Sequence, residues 1–121
     1  MKIFQTALLM WGTATLLFAT DAAQLAEESC GSCHIVSHPT IEKVKHLAAP
    51  PMWGIARRLK RELPSKEAFV DFVVDYALHP AKSKIRINKE AMERFGLMPS
   101  LEGSVDKKSL RQIAEWLYTT Y

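Results

Sequence analysis

Cys30-Gly31-Ser32-Cys33-His34 decides how the rest of this chain is read. Two thiols three positions apart, followed at once by an imidazole, have the spacing used for covalent attachment of a c-type haem. The short spacer lets each sulfur reach one of the two vinyl groups of a single porphyrin. His34 then meets the iron as an axial ligand. The chain has two cysteines in all, so both are taken up by this motif. A thioredoxin-like pair also uses Cys-x-x-Cys, but it belongs in a βαβ context, and nothing strand-like precedes Cys30. A structural zinc site asks for further ligands, usually a second Cys or His pair. The histidines His38, His46 and His79 show no such pairing.

Toward the N-terminus the pattern is that of an export signal. Lys2 supplies a short positive region, Ile3 to Ala19 is mostly apolar, and Thr20-Asp21-Ala22-Ala23 offers small residues for cleavage. The expected division is a signal peptide over 1–22 and one domain over 23–121. Haem is joined to such motifs outside the cytoplasm, so the expected address is periplasmic. An uncleaved anchor is the competing reading. A stretch interrupted by Gln5, Thr6, Thr13 and Thr15 makes a poor span, because a membrane helix needs about 20 predominantly apolar residues. No stable membrane span is expected after cleavage.

Cleavage after Ala22 leaves about 99 residues, enough for one small domain. A core this small stabilises weakly by itself, and a buried porphyrin would supply a large apolar centre for short helices. The full chain carries 16 basic and 13 acidic residues, a formal charge of +3, too mild to indicate a nucleic-acid partner. The distribution is more telling. Lys43, Lys45, Arg57, Arg58, Lys60 and Arg61 fall in a stretch without an acid, and Lys82, Lys84 and Arg86 form a second basic run. Such runs are ordinarily solvated surface. The sharper expectation is a positive face that steers encounter with an acidic redox partner.

The periodicities are helical throughout. Ala22, Leu25, Ala26 and Ser29 form one stripe leading into the haem motif, and Thr40 to His46 predicts a short helical turn. Pro50-Pro51 interrupts the chain, and Ile55 to Leu63 predicts a helix ended by Pro64. Ser65 is a suitable N-cap for a helix in which Phe69, Phe72, Val73 and Tyr76 recur at amphipathic spacing, ended by Pro80. Lys84 to Ile87 alternates like a strand but, standing alone, predicts an extended loop. Asn88 caps a helix to Phe95, with Gly96 as its stop. The last helix starts at Asp106 and buries Leu110, Ile113, Ala114 and Leu117, with Trp116 beside them. The expectation is an all-α domain of about five short helices.

An electron carrier with both axial positions filled needs a second ligand, and Met98 is the candidate. It follows His34 by 64 positions, within Phe95-Gly96-Leu97-Met98-Pro99-Ser100. Gly and Pro keep that segment non-helical, so a thioether can point inward from a loop. Thioether sulfur is soft, favours ferrous iron and raises the reduction potential relative to a second imidazole. Most methionines only fill gaps in a core, and Met92 and Met52 read that way. His46 and His79 remain alternatives to Met98. His38 stands too close to His34 to reach the opposite haem face easily.

Taken together, Cys30 to His34, Pro50-Pro51-Met52-Trp53-Gly54, Met98-Pro99 and the final helix from Leu110 to Leu117 resemble the small monohaem class I cytochromes c over essentially the whole mature region. The resemblance implies that fold around one covalently attached haem c, with His34 and Met98 as the metal ligands and Cys30 and Cys33 as thioether links. It implies that the Pro50 carbonyl accepts from the ring N–H of His34, a contact that fixes the ring and raises its basicity. It implies that Met52 and Ile55 line the haem and that Arg58, beside Arg57, approaches a propionate. The family's first and last helices cross near the haem edge, here with Ala22 and Ala26 opposite Trp116. The family usually has a larger aromatic near position 26, so this chain departs there. The helix from Phe69 to Tyr76 is expected to cover a haem edge or a partner surface.

The function implied is outer-sphere transfer of single electrons between redox proteins, without catalysis by the chain itself. One alternative is the haem subunit of a multi-protein periplasmic oxidoreductase, for example one acting on sulfur compounds. Another is a haem-based sensor, which requires Met98 to be displaceable.

Overall fold

The computed structural model describes residues 18–121, with side chains from residue 22 onward. The apolar stretch expected to form the export signal therefore lies almost wholly outside the described residues. The described residues form six α-helices: α1 (Phe18–Cys30), α2 (Ile41–Lys45), α3 (Met52–Glu62), α4 (Lys66–Leu78), α5 (Lys89–Phe95) and α6 (Lys107–Thr120). A 3-10 turn, Lys82–Lys84, lies between α4 and α5, and no strand occurs among the described residues. The all-α expectation holds, with six helices where about five were expected.

Local chemistry sets most of the boundaries. Thr40, Ser65, Asn88 and Asp106 are N-caps whose side-chain oxygens accept from Lys43 N (3.1 Å), Ala68 N (3.1 Å), Ala91 N (2.8 Å) and Ser109 N (2.9 Å). At Asp106 the Ser109 N–H and hydroxyl hold the carboxyl below its usual range. The start of α3 differs from the sequence expectation: the helix begins at Met52 rather than Ile55. Pro51 stands at its N-cap with φ −59°, so the Pro-Pro pair opens the helix as well as interrupting the chain.

The core gathers on α6. Leu110, Ile113, Ala114 and Leu117 are all buried and pack mainly against α4, with α1 and α3 completing the contact. Ala26 on α1 and Ala114 on α6 are both fully buried, and such small side chains let two helices approach closely. Trp116 is half-buried and meets Tyr121 edge to face, with ring centroids 5.9 Å apart. Helix α4 is buried on more than the stripe read from its spacing. Val70 and Val74 are fully packed, while Phe72, Val73 and Tyr76 on the other side are half-buried.

Candidate functional site

The half-buried side of α4 forms a wall of the main cavity, which has a volume of about 360 Å3. The other walls come from the turn after α1, from Ala48 to Pro50, from α3, from Ile85 to Ile87, from the segment Phe95 to Leu101 and from Leu110, Ile113 and Leu117 of α6. The cavity brings together the sequence-expected site residues Cys30, Cys33, His34, Pro50, Met52, Ile55, Arg58 and Met98, although they lie up to 68 positions apart in the chain.

The first half of the site is a continuation of α1. Gly31 N donates to Glu27 O (2.9 Å), and His34 N donates to Cys30 O (2.9 Å), so the backbone keeps winding through the motif. A Cβ on Gly31 would collide with the Glu27 carbonyl oxygen, so this turn is restricted to glycine. Cys30 is buried and Cys33 exposed, both as free thiols. Burial, helped by Cys33 and Glu27, pushes the Cys30 thiol up to about 11. The following backbone is held at three points. Met52 N donates to Ile35 O (3.0 Å), and the Tyr121 hydroxyl donates to Val36 O. Ser37 gives both its N–H (3.1 Å) and its hydroxyl (2.7 Å) to the Glu27 carboxylate, which these bonds hold below the usual range.

These restraints set the imidazole. His34 is 8% exposed, and its Nδ1 lies 2.7 Å from the Pro50 carbonyl oxygen. A carbonyl only accepts, so Nδ1 carries the proton and the neutral ring keeps the lone pair on Nε2. Burial lowers the His34 pKa, against the pull of the Pro50 carbonyl, so the neutral ring is favoured. A neutral imidazole with one nitrogen tied to a carbonyl and the other available is the form that ligates a metal.

The opposite half depends on the end of α5. Gly96 has φ 72° and ψ −164°, a conformation that residues with a Cβ avoid. That turn sends Leu97, Met98 and Pro99 along the cavity. Beyond them Ser100 Oγ donates to Leu78 O (2.5 Å) and Leu101 N donates to Ala77 O (2.9 Å). The last carbonyls of α4, which have no partner within the helix, thus anchor the Met98 segment.

The other histidines are elsewhere. His46 pairs with Glu42 (3.3 Å), His79 lies 3.8 Å from Glu102, and His38 joins Ser37 and Glu27. Among the described residues no three His, Cys, Asp or Glu side chains converge on a point that could hold a metal ion. The sequence marks neither Arg86, which reads there only as part of a basic surface run, nor Glu62 as part of the site. Arg86 lines the cavity, and Glu62 bridges it to Arg58. Strand-like alternation would send Arg86 away from Ile85 and Ile87, yet all three line the cavity. Only the long-range pairing with Glu62 reveals why.

An uncharacterised protein of Aquifex aeolicus (strain VF5) is 29% identical to this chain over 110 residues, covering 81% of this chain and 72% of that protein. No protein-family model and no solved structure matches the chain.

Proposed function

We propose that this chain is an exported electron carrier holding one c-type haem between His34 and Met98. The observation that carries the reading is the donor set of a single apolar cavity. Two free thiols and a neutral imidazole locked by Pro50 share it with a thioether presented from a glycine-dependent loop. These residues fit the group. Cys30 and Cys33 would hold it by thioethers, His34 Nε2 and the Met98 sulfur would ligate its iron, and Met52, Ile55 and Phe72 would pack against its apolar surface. When bound, haem supplies a reversible one-electron couple.

The chain's own residues then keep that couple closed and poised. The Pro50 carbonyl fixes the His34 ring, so the ligand has little freedom to move with oxidation state. Ser100 and Leu101 restrain the Met98 loop against α4. The apolar walls limit water. The exposed side of Cys33 is the natural port for electrons, and the exposed cations Lys45, Arg57 and Arg61 would steer a weak complex with an acidic partner.

The test is the reduced protein's absorption spectrum with and without carbon monoxide. A closed site leaves the spectrum unchanged in the wild type. Met98→Ala opens it, with carbon monoxide bound and the reduction potential lowered. Rapid stoichiometric binding by the wild type would instead favour the sensor. The haem-subunit reading draws on a separate observation: Ile41 is 76% and Val44 52% exposed on α2, an apolar pair suited to a lasting interface. Size-exclusion of the native periplasmic extract separates the two, since a shuttle elutes alone and a subunit elutes with its larger partner.

A further inference from the structure

The cavity lining is mostly apolar, and its fixed charge is confined to one place. Of the described residues that line it, Arg58 and Arg86 are the only ones with a fixed charge, and no carboxylate is among them. Their side chains are 37% and 42% exposed, so both stand at its rim. Glu62 contacts both. Its Oε1 accepts from Arg58 Nε at 2.8 Å, and its Oε2 stands 3.7 Å from Arg86 Nη1. One carboxylate thus faces two guanidinium groups, and one positive charge remains uncompensated.

The geometry leaves donors free. Arg58 meets Glu62 through Nε, so its terminal nitrogens are unspent. The Arg86 contact is a longer ion pair. Its guanidinium carbon lies 5.2 Å from the centroid of the Phe72 ring, which is itself stacked on Tyr76 at 5.9 Å and 10°. A guanidinium packed on an aromatic ring keeps its N–H groups available in its own plane, the arrangement that grips a carboxylate with two parallel hydrogen bonds.

We infer that Arg58 and Arg86 form a carboxylate clamp on the cavity rim, with Glu62 holding the two guanidinium groups in register. The ligand that fits has an apolar body and carboxylates along one edge. This deepens the haem reading and rests on it, because the propionates are then the carboxylates held. Arg86 is the member that neither the motif nor the resemblance supplies, and it orients the group without touching iron.

The experiment uses the full-length, haem-loaded protein and measures its midpoint potential against pH for the wild type, Arg86→Gln and Arg57→Gln. Arg57 adjoins Arg58 but does not line the cavity, so it controls for loss of charge alone. The other titratable groups facing the cavity are Cys30, Cys33 and His34, tied up by the haem, and Tyr76. Glu62 and the Asp75–Lys84 pair (2.8 Å) lie nearby. A neighbouring arginine lowers a carboxyl pKa by roughly 1–3 units. In Arg86→Gln the pH-dependent step in potential should therefore move up by about one unit or more, or appear where the wild type shows none. Arg57→Gln should leave it in place. Should Arg86→Gln fail to fold, Arg86→Lys is read in the same way, with a smaller rise, because charge survives and the fork is lost. A pH profile of either folded Arg86 variant that superimposes on the wild type overturns the clamp. Denatured mass is recorded for every sample. Absence of haem from the wild type would defeat the functional reading, whereas haem present with an unmoved profile defeats the clamp alone.

Discussion

The two sides of α4 are stabilised in different ways. On one side Val70 and Val74 are closed over by the core centred on α6. On the other, Phe72, Val73 and Tyr76 face a cavity of about 360 Å3. The first side is complete with the chain's own atoms. The second has aromatic and aliphatic walls and a rim of arginines, and no side chain among the described residues fills the space. The contrast teaches where the chain's own side chains close the packing and where they leave an apolar wall facing a cavity.

The largest test of that contrast removes the ligand's attachment. An apolar cavity of about 360 Å3 without its ligand forfeits the packing contacts of its lining, a large loss for a small domain whose whole stability is about 5–15 kcal/mol. Cys30→Ala with Cys33→Ala should abolish covalent haem and leave a mostly unfolded chain, read by far-UV circular dichroism. A well-folded, haem-free helical protein would break the comparison.

The next tests sharpen it with two adjacent valines. Val74→Ala, on the closed side, should cost about 2 kcal/mol in denaturant unfolding of the loaded protein. Val73→Ala, on the cavity side, should cost less but perturb the haem absorption bands, which Val74→Ala leaves alone. Equal costs and unchanged spectra for both would erase the distinction between the two faces.

Much of this is legible in the amino-acid sequence alone. The caps Thr40, Ser65, Asn88 and Asp106 act through local hydrogen bonds, and the α6 stripe is a simple periodicity, so both are written in short windows of sequence. Cys30, Cys33 and His34 are contiguous or nearly so, and the Gly96-to-Pro99 context marks Met98. Helix α4 is half legible. Its spacing singles out the stripe Phe69, Phe72, Val73 and Tyr76, all of which line the cavity, while Val70 and Val74 form a second apolar face that a single-stripe reading does not separate. Arg86 is illegible as a site residue, because its position depends on Glu62 and Phe72, far away in the chain. The start of α3 escapes a sequence reading because a proline pair both breaks one segment and opens the next.

Smaller effects probe the two segments that complete the cavity. Gly96→Ala should destabilise by about 1–3 kcal/mol, the cost of a Cβ in that backbone region. It should also weaken Met98 ligation, seen as carbon monoxide binding absent from the wild type. Glu27→Gln should have the smallest effect. The Glu27 carboxyl sits lower in the folded state than in the unfolded chain. Its contribution is therefore complete above the unfolded carboxylate pKa and fades as pH falls through the folded value. The variant should lose that part of the acid dependence of unfolding while matching the wild type near its own low-pH limit.

The most direct test is the intact mass of the exported polypeptide after full denaturation. The account predicts the mass of the processed chain plus one haem, retained through unfolding because two thioethers hold it. A polypeptide mass without haem would contradict the cavity's assigned occupant and the electron-transfer reading with it.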